Sequence, residues 1–149
     1  MRYIGCKTKL IGNINEAIDK YCPDAQTVCD IFSGTATVAR NLKSRFEVVS
    51  NDLLYFSYVL QAATVENDSV PSFEKLRDAG YVAPHDFFNK METREMESLP
   101  EDRRLFQNNY SPKGGRQYFT EDNALRIDYA RNTIEDWKGA GLLSTSEYY

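Results

Sequence analysis

Apolar positions in the first part of the chain follow two different spacings. Leu10, Ile14 and Ile18 repeat every three or four residues, which predicts an amphipathic helix that ends near Cys22-Pro23. The next stretch, TVCDIF, is apolar enough to predict a strand that is buried on both faces. FEVVSND predicts a second strand, and a helical pattern follows each of the two. The order β, α, β, α is typical of a parallel sheet with crossover helices.

Two helices are predicted at these crossovers. The first begins after the turn SGTAT and continues to about Lys43. The second has an apolar face formed by Leu53, Phe56, Leu60 and Ala63. Because these residues repeat at helical spacing, we expect this face to be buried.

The pattern changes from about residue 66 onward. ENDSVPS is a polar connector, and the charged stretch that follows is helical with a break at GYVAP. QNNYSPKGGRQYF predicts an irregular loop, in which RQYF is a weak candidate for a third strand. Thr120 is a predicted helix N-cap, with Glu121 and Asp122 in the first turn. The chain therefore divides into an α/β region before residue 67 and a mainly helical region after it.

Composition limits the classes of protein that fit. The 149 residues are 42% hydrophobic and carry a net charge of −4, so a folded core is expected and a broad basic surface is not. No apolar run approaches the ~20 residues of a membrane span, and the first residues lack the hydrophobic segment expected of a signal peptide. Cys6, Cys22 and Cys29 do not have metal-ligand spacing, and His85 has no ligand-type neighbour. We therefore expect a cytoplasmic protein with reduced thiols and no metal.

Polar residues follow both predicted strands. Asp30 precedes the turn that contains Ser33 and Gly34, and Asp52 comes about twenty residues later, at the end of the second strand. Ligands of open parallel sheets bind beyond the carboxyl ends of the strands. An acid at this separation can accept hydrogen bonds from the ribose hydroxyls of a nucleoside. The alternative is an ordinary strand–helix turn in which Asp52 is only a helix N-cap.

The turn favours a nucleoside ligand without a pyrophosphate. G-x-G-x-x-G is absent, which disfavours a dinucleotide. S-adenosylmethionine fits better, because its ribose suits Asp52, its ammonium suits Asp30 and its carboxylate suits Lys7. Tyr3 or Phe32 can pack on the adenosine or near the sulfonium.

Three segments carry a family resemblance. RYIGCK, DIFSGTATVA and NDLLYFS resemble, in this order, the motifs of the Dam-like class of adenine-specific DNA methyltransferases of restriction–modification systems. The resemblance implies a cofactor site formed by Tyr3, Gly5, Lys7, Asp30, Phe32, Ser33, Gly34 and Asp52. It implies a truncated Rossmann-like, S-adenosylmethionine-dependent methyltransferase fold of the α/β class with a mainly helical C-terminal half. Residues 1–66 would be the cofactor-binding part, and residues 67–149 a helical region with a DNA-contacting insert.

The chain departs from this family pattern at three points. Cys6 and Ala36 stand where the class has glycine. The Asp/Asn-Pro-Pro-aromatic motif, with which the class holds a flipped adenine, is absent, since no two of the five prolines are adjacent. We therefore assign no catalytic residue. We expect the chain to be inactive alone, as a truncation or as one half of an enzyme whose C-terminal half is missing.

The loop KGGRQ is the predicted DNA contact. Lys113 and Arg116 lie among Tyr110, Tyr118 and Phe119, so cations for phosphates or a guanine edge are close to rings that can stack on bases. Two glycines would let the backbone approach a phosphate. The partner would be double-stranded DNA in the complete enzyme. The alternative is a surface loop with two ordinary cations.

Two other functions remain open. The chain can be an interaction fragment that keeps the fold but binds no cofactor, or part of a methyltransferase for RNA or a small molecule. An unfinished sheet exposes an edge that can pair with another chain, so a homodimer is expected under either interpretation.

Overall fold

The structure is a computed structural model that describes residues 7–149. The chain forms two compact units. Unit one runs up to Pro71 and includes Tyr149, and unit two comprises Ser72–Tyr148. The roles assigned to residues 1–66 and 67–149 stay predictions.

Unit one contains the predicted alternation of helices and strands. Its elements are α1 (Ile11–Tyr21), β1 (Thr27–Asp30), α2 (Thr37–Leu42), β2 (Glu47–Ser50) and α3 (Tyr55–Gln61), with a 3-10 turn at Thr8–Leu10 and a π-helical turn at Ala62–Glu66. The predicted parallel pairing is confirmed, with Thr27 opposite Glu47 and Asp30 opposite Ser50. α2 contacts both strands and buries Val38, Ala39 and Leu42.

The sheet has two strands within the described residues. Val28 and Val48 are half-buried on one face, whereas Cys29 and Val49 are exposed on the other. The prediction that β1 is buried on both faces is therefore wrong for this part of the chain. The α/β order is present, but two strands do not establish the wider sheet of a Rossmann-like fold.

The apolar face predicted around α3 is buried only in part, since Leu60 and Ala63 are half-buried. Leu53 is 96% exposed and Phe56 is 49% exposed, while Ser57 and Gln61 are buried. The Asp52 carboxylate accepts the backbone N–H of Leu54 directly before the helix. Leu53 and Phe56, the first two residues of the predicted face, therefore remain on the surface.

Unit two is helical, as predicted. Its helices are α4 (Glu74–Asp78), α5 (Pro84–Asn89), α6 (Thr93–Glu97), α7 (Leu105–Tyr110), α8 (Glu121–Gly139) and α9 (Thr145–Tyr148), with 3-10 turns at Glu101–Arg103 and Pro112–Gly114. The candidate third strand, RQYF, is wrong, because residues 116–119 are irregular. The backbone N–H of Phe119 bonds instead to the Tyr110 carbonyl at 3.1 Å.

An aromatic cluster forms the core of unit two. Trp137 is 4% exposed, and its ring centroid lies 5.1 Å from that of Phe87, 5.3 Å from that of Tyr81 and 5.5 Å from that of Phe88. A second cluster contains Met91, Met96 and Leu125. The long helix α8 contributes to both clusters, which makes it the main support of the unit.

The two ends of unit two are joined by Glu147. Its carboxylate accepts the backbone N–H of Phe73 at 2.5 Å and that of Ser144 at 2.9 Å. Hydrogen bonds to Ser144, with a further one to the Phe73 backbone, lower the pKa of Glu147. This carboxylate therefore fastens the first residues of the unit to the last.

Thr120 begins α8 as predicted. Its hydroxyl accepts the backbone N–H of Asn123 at 3.2 Å, which confirms the N-cap. None of the helices within residues 7–149 is long and apolar enough to cross a bilayer.

Candidate functional site

The ends of β1 and β2 are fastened by a small polar network. The backbone N–H of Asn51 donates to the Asp30 carbonyl at 2.9 Å, and that of Ser33 donates to the Asn51 carbonyl at 3.0 Å. The buried Ser33 hydroxyl lies 2.7 Å from the Asp30 carbonyl oxygen and accepts from the Asn51 backbone at 3.0 Å. Ser33, a predicted cofactor residue, thus holds the turn against the second strand.

Asp52 links the turn to the start of α3. Its Oδ2 accepts the backbone N–H of Gly34 at 2.8 Å, and its Oδ1 accepts that of Leu54 at 3.0 Å. These hydrogen bonds, Leu54's first, lower the pKa of Asp52, so the carboxylate stays ionised at neutral pH. The interpretation of Asp52 as the helix N-cap is wrong, because Leu54 is the N-cap of α3 and the helix has no side-chain cap bond; Asp52 instead forms a local turn with Leu54. This turn does not exclude the ribose interpretation, because each carboxylate oxygen has a further lone pair.

The turn itself uses left-handed backbone at two positions. Gly34 has φ +51° and Ala36 has φ +58°. Ala36 stands where the family pattern has glycine, and it keeps the left-handed conformation that glycine adopts easily. This conformation costs an alanine about 1–2 kcal/mol. A Cβ on Gly34 would meet nothing within 4 Å, so its positive φ is the feature that favours glycine there.

Asp30 has an unsatisfied atom at the strand ends. Its Oδ2 is buried and has no hydrogen-bond partner among the described residues. The same holds for the Oγ of Ser50, which lies opposite Asp30 in the sheet. A buried acceptor without a donor is unfavourable, so this pair suits a ligand that brings a donor such as an ammonium group. The residues present therefore fit the amino-acid end of S-adenosylmethionine.

Exposed apolar side chains flank these acids along the chain. Phe32 is 74% exposed, Ile31 is 55% exposed and Leu53 is 96% exposed. Phe32 was predicted as a cofactor residue. Sequence periodicity assigned Leu53 to a buried helix face, and its position directly after Asp52 is the signal that would have placed it here. Together they give an apolar surface next to the carboxylates.

The opening motif is described only in part. Tyr3 and Gly5 lie outside the described residues. Lys7 is half-buried, and its carbonyl accepts the backbone N–H of Leu10 at 2.8 Å. Within the described residues, no hydrogen bond or ion pair joins Lys7 to Asp30 or Asp52. Its approach to the strand ends therefore stays a prediction.

A groove of about 290 Å³ lies between β2 and α3 and shares Ser50 with the strand-end site. It is lined by Val48, Ser50, Tyr58, Gln61, Ala62, Val65 and Glu66. The Nε2 of Gln61 is buried there without a partner among the described residues. The sequence does not predict this groove. The groove depends on Gln61 of α3 facing β2, and the spacing of apolar residues does not show this.

In unit two, the loop at residues 111–119 presents the predicted DNA contacts. Lys113 Nζ lies 2.6 Å from Glu101 Oε1, and this ion pair lowers the pKa of Glu101. Arg116 is exposed, and its backbone N–H donates to the Ser111 carbonyl at 2.9 Å. The charge of Lys113 is thus partly neutralised, whereas Arg116 faces solvent on a fixed backbone.

Four aromatic rings lie beside this loop. The ring of Tyr110 is 5.5 Å from that of Phe106 and 6.1 Å from that of Tyr118, and Phe106 is 6.0 Å from Phe119. Tyr118 is 70% exposed. The aromatic side chains thus contact one another at this loop, and their association with Lys113 and Arg116 stays a prediction.

Gly114 is required by the packing of the loop on α7. A Cβ at this position would lie 2.2 Å from the carbonyl oxygen of Asn108, and Gly115 has φ +69°. The sequence predicts that these two glycines let the backbone approach a phosphate. The structure gives both of them a role in the fold of the loop itself.

Within residues 7–149, no three His, Cys, Asp or Glu side chains form a group that could hold a metal ion.

Comparison with known proteins addresses the family directly. The model of the D12 class N6 adenine-specific DNA methyltransferases matches residues 3–149. The chain belongs to this family. The resemblance to adenine-specific DNA methyltransferases is thereby confirmed.

Several modification methylases are similar to this family member. It is 42% identical to the type II methyltransferase M.FokI of Planomicrobium okeanokoites over 99% of its length and 23% of that protein. It is 40% identical to the modification methylase StsI of Streptococcus sanguinis over 100% of its length and 22% of that protein. The chain thus spans less than a quarter of these two relatives. No solved structure matches it significantly.

Proposed function

We propose that this chain is the S-adenosylmethionine-binding part of a site-specific DNA methyltransferase that methylates the exocyclic amine of adenine. Membership of the D12 family supports the reaction class. The observation that carries the cofactor assignment is the unpartnered, buried Oδ2 of Asp30 beside the ionised Asp52 at the carboxyl ends of two parallel strands.

Each proposed residue has a defined task toward the cofactor. Asp52 accepts hydrogen bonds from the ribose hydroxyls, and Asp30 accepts from the ammonium group. Phe32 packs on the adenosine or beside the sulfonium. Ser33 and Gly34 hold the turn that keeps these groups in place. Tyr3, Gly5 and Lys7 complete the site, with Lys7 facing the cofactor carboxylate.

The cofactor supplies an activated methyl group. The residues of this chain bind and orient the molecule that carries it, and none of them is assigned to the adenine. Because the Asp/Asn-Pro-Pro-aromatic motif is absent from the 149 residues, we expect no turnover by this chain alone.

We further propose a wider fold, a cellular location and a substrate for the protein. β1 and β2 would be neighbouring strands of a Rossmann-like sheet, completed by a C-terminal half of the enzyme or by a second copy of the chain. The protein would act in the cytoplasm on double-stranded DNA.

Titration calorimetry with S-adenosylmethionine tests the cofactor site. Asp30→Asn is expected to weaken binding about tenfold or more, because the ammonium loses a charged acceptor. Asp24→Asn, an exposed residue with the same charge change, is the matched control and is expected to bind as the wild type does. Equal affinity of Asp30→Asn and the wild type would overturn the assignment, and an absence of binding by the wild type would favour an interaction fragment.

We also propose that Lys113 and Arg116 contact the DNA backbone or a base edge, with Arg116 the larger contributor. The exposure of Arg116 and the pairing of Lys113 with Glu101 support this order. Arg116→Ala is expected to lower affinity for duplex DNA and to reduce the dependence of log K on log salt by about one. Arg94→Ala, an exposed cation on α6, is the control. An unchanged salt dependence in Arg116→Ala would contradict the proposal.

A further inference from the structure

Asp128 is a buried carboxylate in the middle of α8. It is 0% exposed, and no cation is paired with it among the described residues. Its Oδ1 accepts the backbone N–H of Phe106 at 2.8 Å, and its Oδ2 accepts that of Gln107 at 2.8 Å. Both N–H groups belong to the first turn of α7, where a helix lacks its own acceptors. Asp128 therefore fixes the start of α7 from a different helix.

The polar face of α8 extends this attachment. Asn132 Nδ2 donates to the carbonyls of Asp128 and Arg103, at 2.7 and 2.9 Å. Arg103 Nε donates back to Asn132 Oδ1 at 2.7 Å, and an Arg103–Asp136 ion pair adds a contact of 2.7 Å. The chain that enters α7 is thus held by α8 over two helical turns.

A second set of hydrogen bonds connects α7 to the loop. Ser111, which is fully buried, donates from Oγ to the Gln107 carbonyl at 2.6 Å and accepts the Lys113 N–H at 3.2 Å. The Ser111 carbonyl accepts the N–H of Arg116 at 2.9 Å. A continuous series of contacts therefore runs from Asp128 through Gln107 and Ser111 to the backbone of Arg116.

We infer that Asp128 is a positioning residue for DNA binding, because its carboxylate sets α7 and thereby the orientation in which the loop presents Arg116. This inference rests on the proposed contact between Arg116 and DNA. Asp128 would thus contribute to DNA binding without touching DNA itself. A fixed loop loses less conformational entropy on binding than a mobile one, which favours affinity.

Electrostatics and positioning predict opposite effects of removing this charge. Neutralising an acid near DNA raises affinity if charge alone matters, because a negative group no longer repels the phosphates. Asp128→Asn instead places an NH₂ group against one of the two N–H donors of α7. If Asp128 acts by positioning, the variant binds DNA more weakly despite its more favourable net charge.

The test is fluorescence anisotropy with a labelled duplex of mixed sequence and the full chain. Asp128→Asn is expected to weaken binding about tenfold and to reduce the salt dependence by about one, as Arg116→Ala does. Asp122→Asn, exposed in the first turn of α8, removes the same charge and is expected to bind equally well or more tightly. Equal behaviour of the two acid variants would overturn the inference.

A double variant separates positioning from general destabilisation. Asp128→Asn is expected to cause no further loss of affinity when it is added to Arg116→Ala, because both changes remove the same contact. An additive loss would overturn the inference. If Asp128→Asn fails to fold by circular dichroism, Ser111→Ala decides in its place, with the same expected loss and the same dependence on Arg116. If Arg116→Ala alone changes nothing, it is the proposed DNA contact that fails.

Discussion

The two units differ in how many of their buried polar side-chain atoms lack a hydrogen-bond partner. Unit one leaves Asp30 Oδ2, Ser50 Oγ and Gln61 Nε2 buried without partners among the described residues, and it exposes Phe32 and Leu53. Unit two leaves one such atom, Asn108 Oδ1, but it surrounds Trp137 with other rings and provides partners for both oxygens of the buried Asp128. Unit two is therefore stabilised largely by its own contacts.

This difference supports the proposed ligand site in unit one. Buried polar atoms without partners are rare in native proteins and are unfavourable until a partner arrives. Exposed apolar groups beside them mark a surface that another molecule can cover. Unit one thus has the properties of a binding surface, and unit two those of a rigid support for a short basic loop.

The largest expected effect is on the core of unit two. Trp137→Ala should lower the free energy of unfolding by roughly 3–5 kcal/mol, because it removes the ring at the centre of the aromatic cluster. Leu53→Ala in unit one should change it by no more than about 0.5 kcal/mol, because that side chain is 96% exposed. Urea denaturation of both variants measures the contrast. Similar losses in the two variants would show that Leu53 is packed.

A smaller effect is expected from the loop. Gly114→Ala places a Cβ against the Asn108 carbonyl and should lower the free energy of unfolding by about 1–3 kcal/mol. Gly12→Ala in α1 is the matched control, since a Cβ there meets nothing within 4 Å and alanine favours helix by roughly 0.5–1 kcal/mol. Thermal denaturation compares the two. A stable Gly114→Ala variant would mean that the loop does not pack on α7 as described.

Local patterns predicted part of this fold correctly. The helical spacing of Leu10, Ile14 and Ile18 gave α1, and the threonine before two acids gave the Thr120 N-cap. These features depend on neighbours along the chain. The acids after the strands could be found for the same reason, because a strand of known direction determines where its carboxyl end lies.

Contacts between distant residues could not be predicted. Asp128 and Gln107 are 21 residues apart, and on sequence alone an acid in a charged helix is expected to face solvent. The predicted face of α3 was only partly right, because the apolar pattern does not show that the polar Ser57 and Gln61 are buried. RQYF does not form a strand although its aromatic residues favour strands. The backbone N–H of Phe119 bonds to the Tyr110 carbonyl at the end of α7 and not to another strand.

The smallest expected effect is the pH dependence of one carboxylate in each unit. The folded-state pKa of Asp52 lies below its ordinary value of 3.8, and that of Glu147 lies below 4.5. Each acid therefore contributes stability that is present above its ordinary value and is lost as pH falls through the lower, folded-state pKa. Asp52→Asn and Glu147→Gln should each flatten the acid limb of stability against pH, measured by urea denaturation. Equally steep acid limbs in a variant and the wild type would contradict the corresponding shift.

The hydrogen bond between Glu147 and the backbone of Phe73 brings together two points of the chain that are 74 residues apart. A segment whose entrance and exit are neighbours can be exchanged between proteins without stretching the chain on either side. Because Phe73 and Glu147 lie together, unit two begins and ends at one place, and its helices form an insert that can be replaced as a whole.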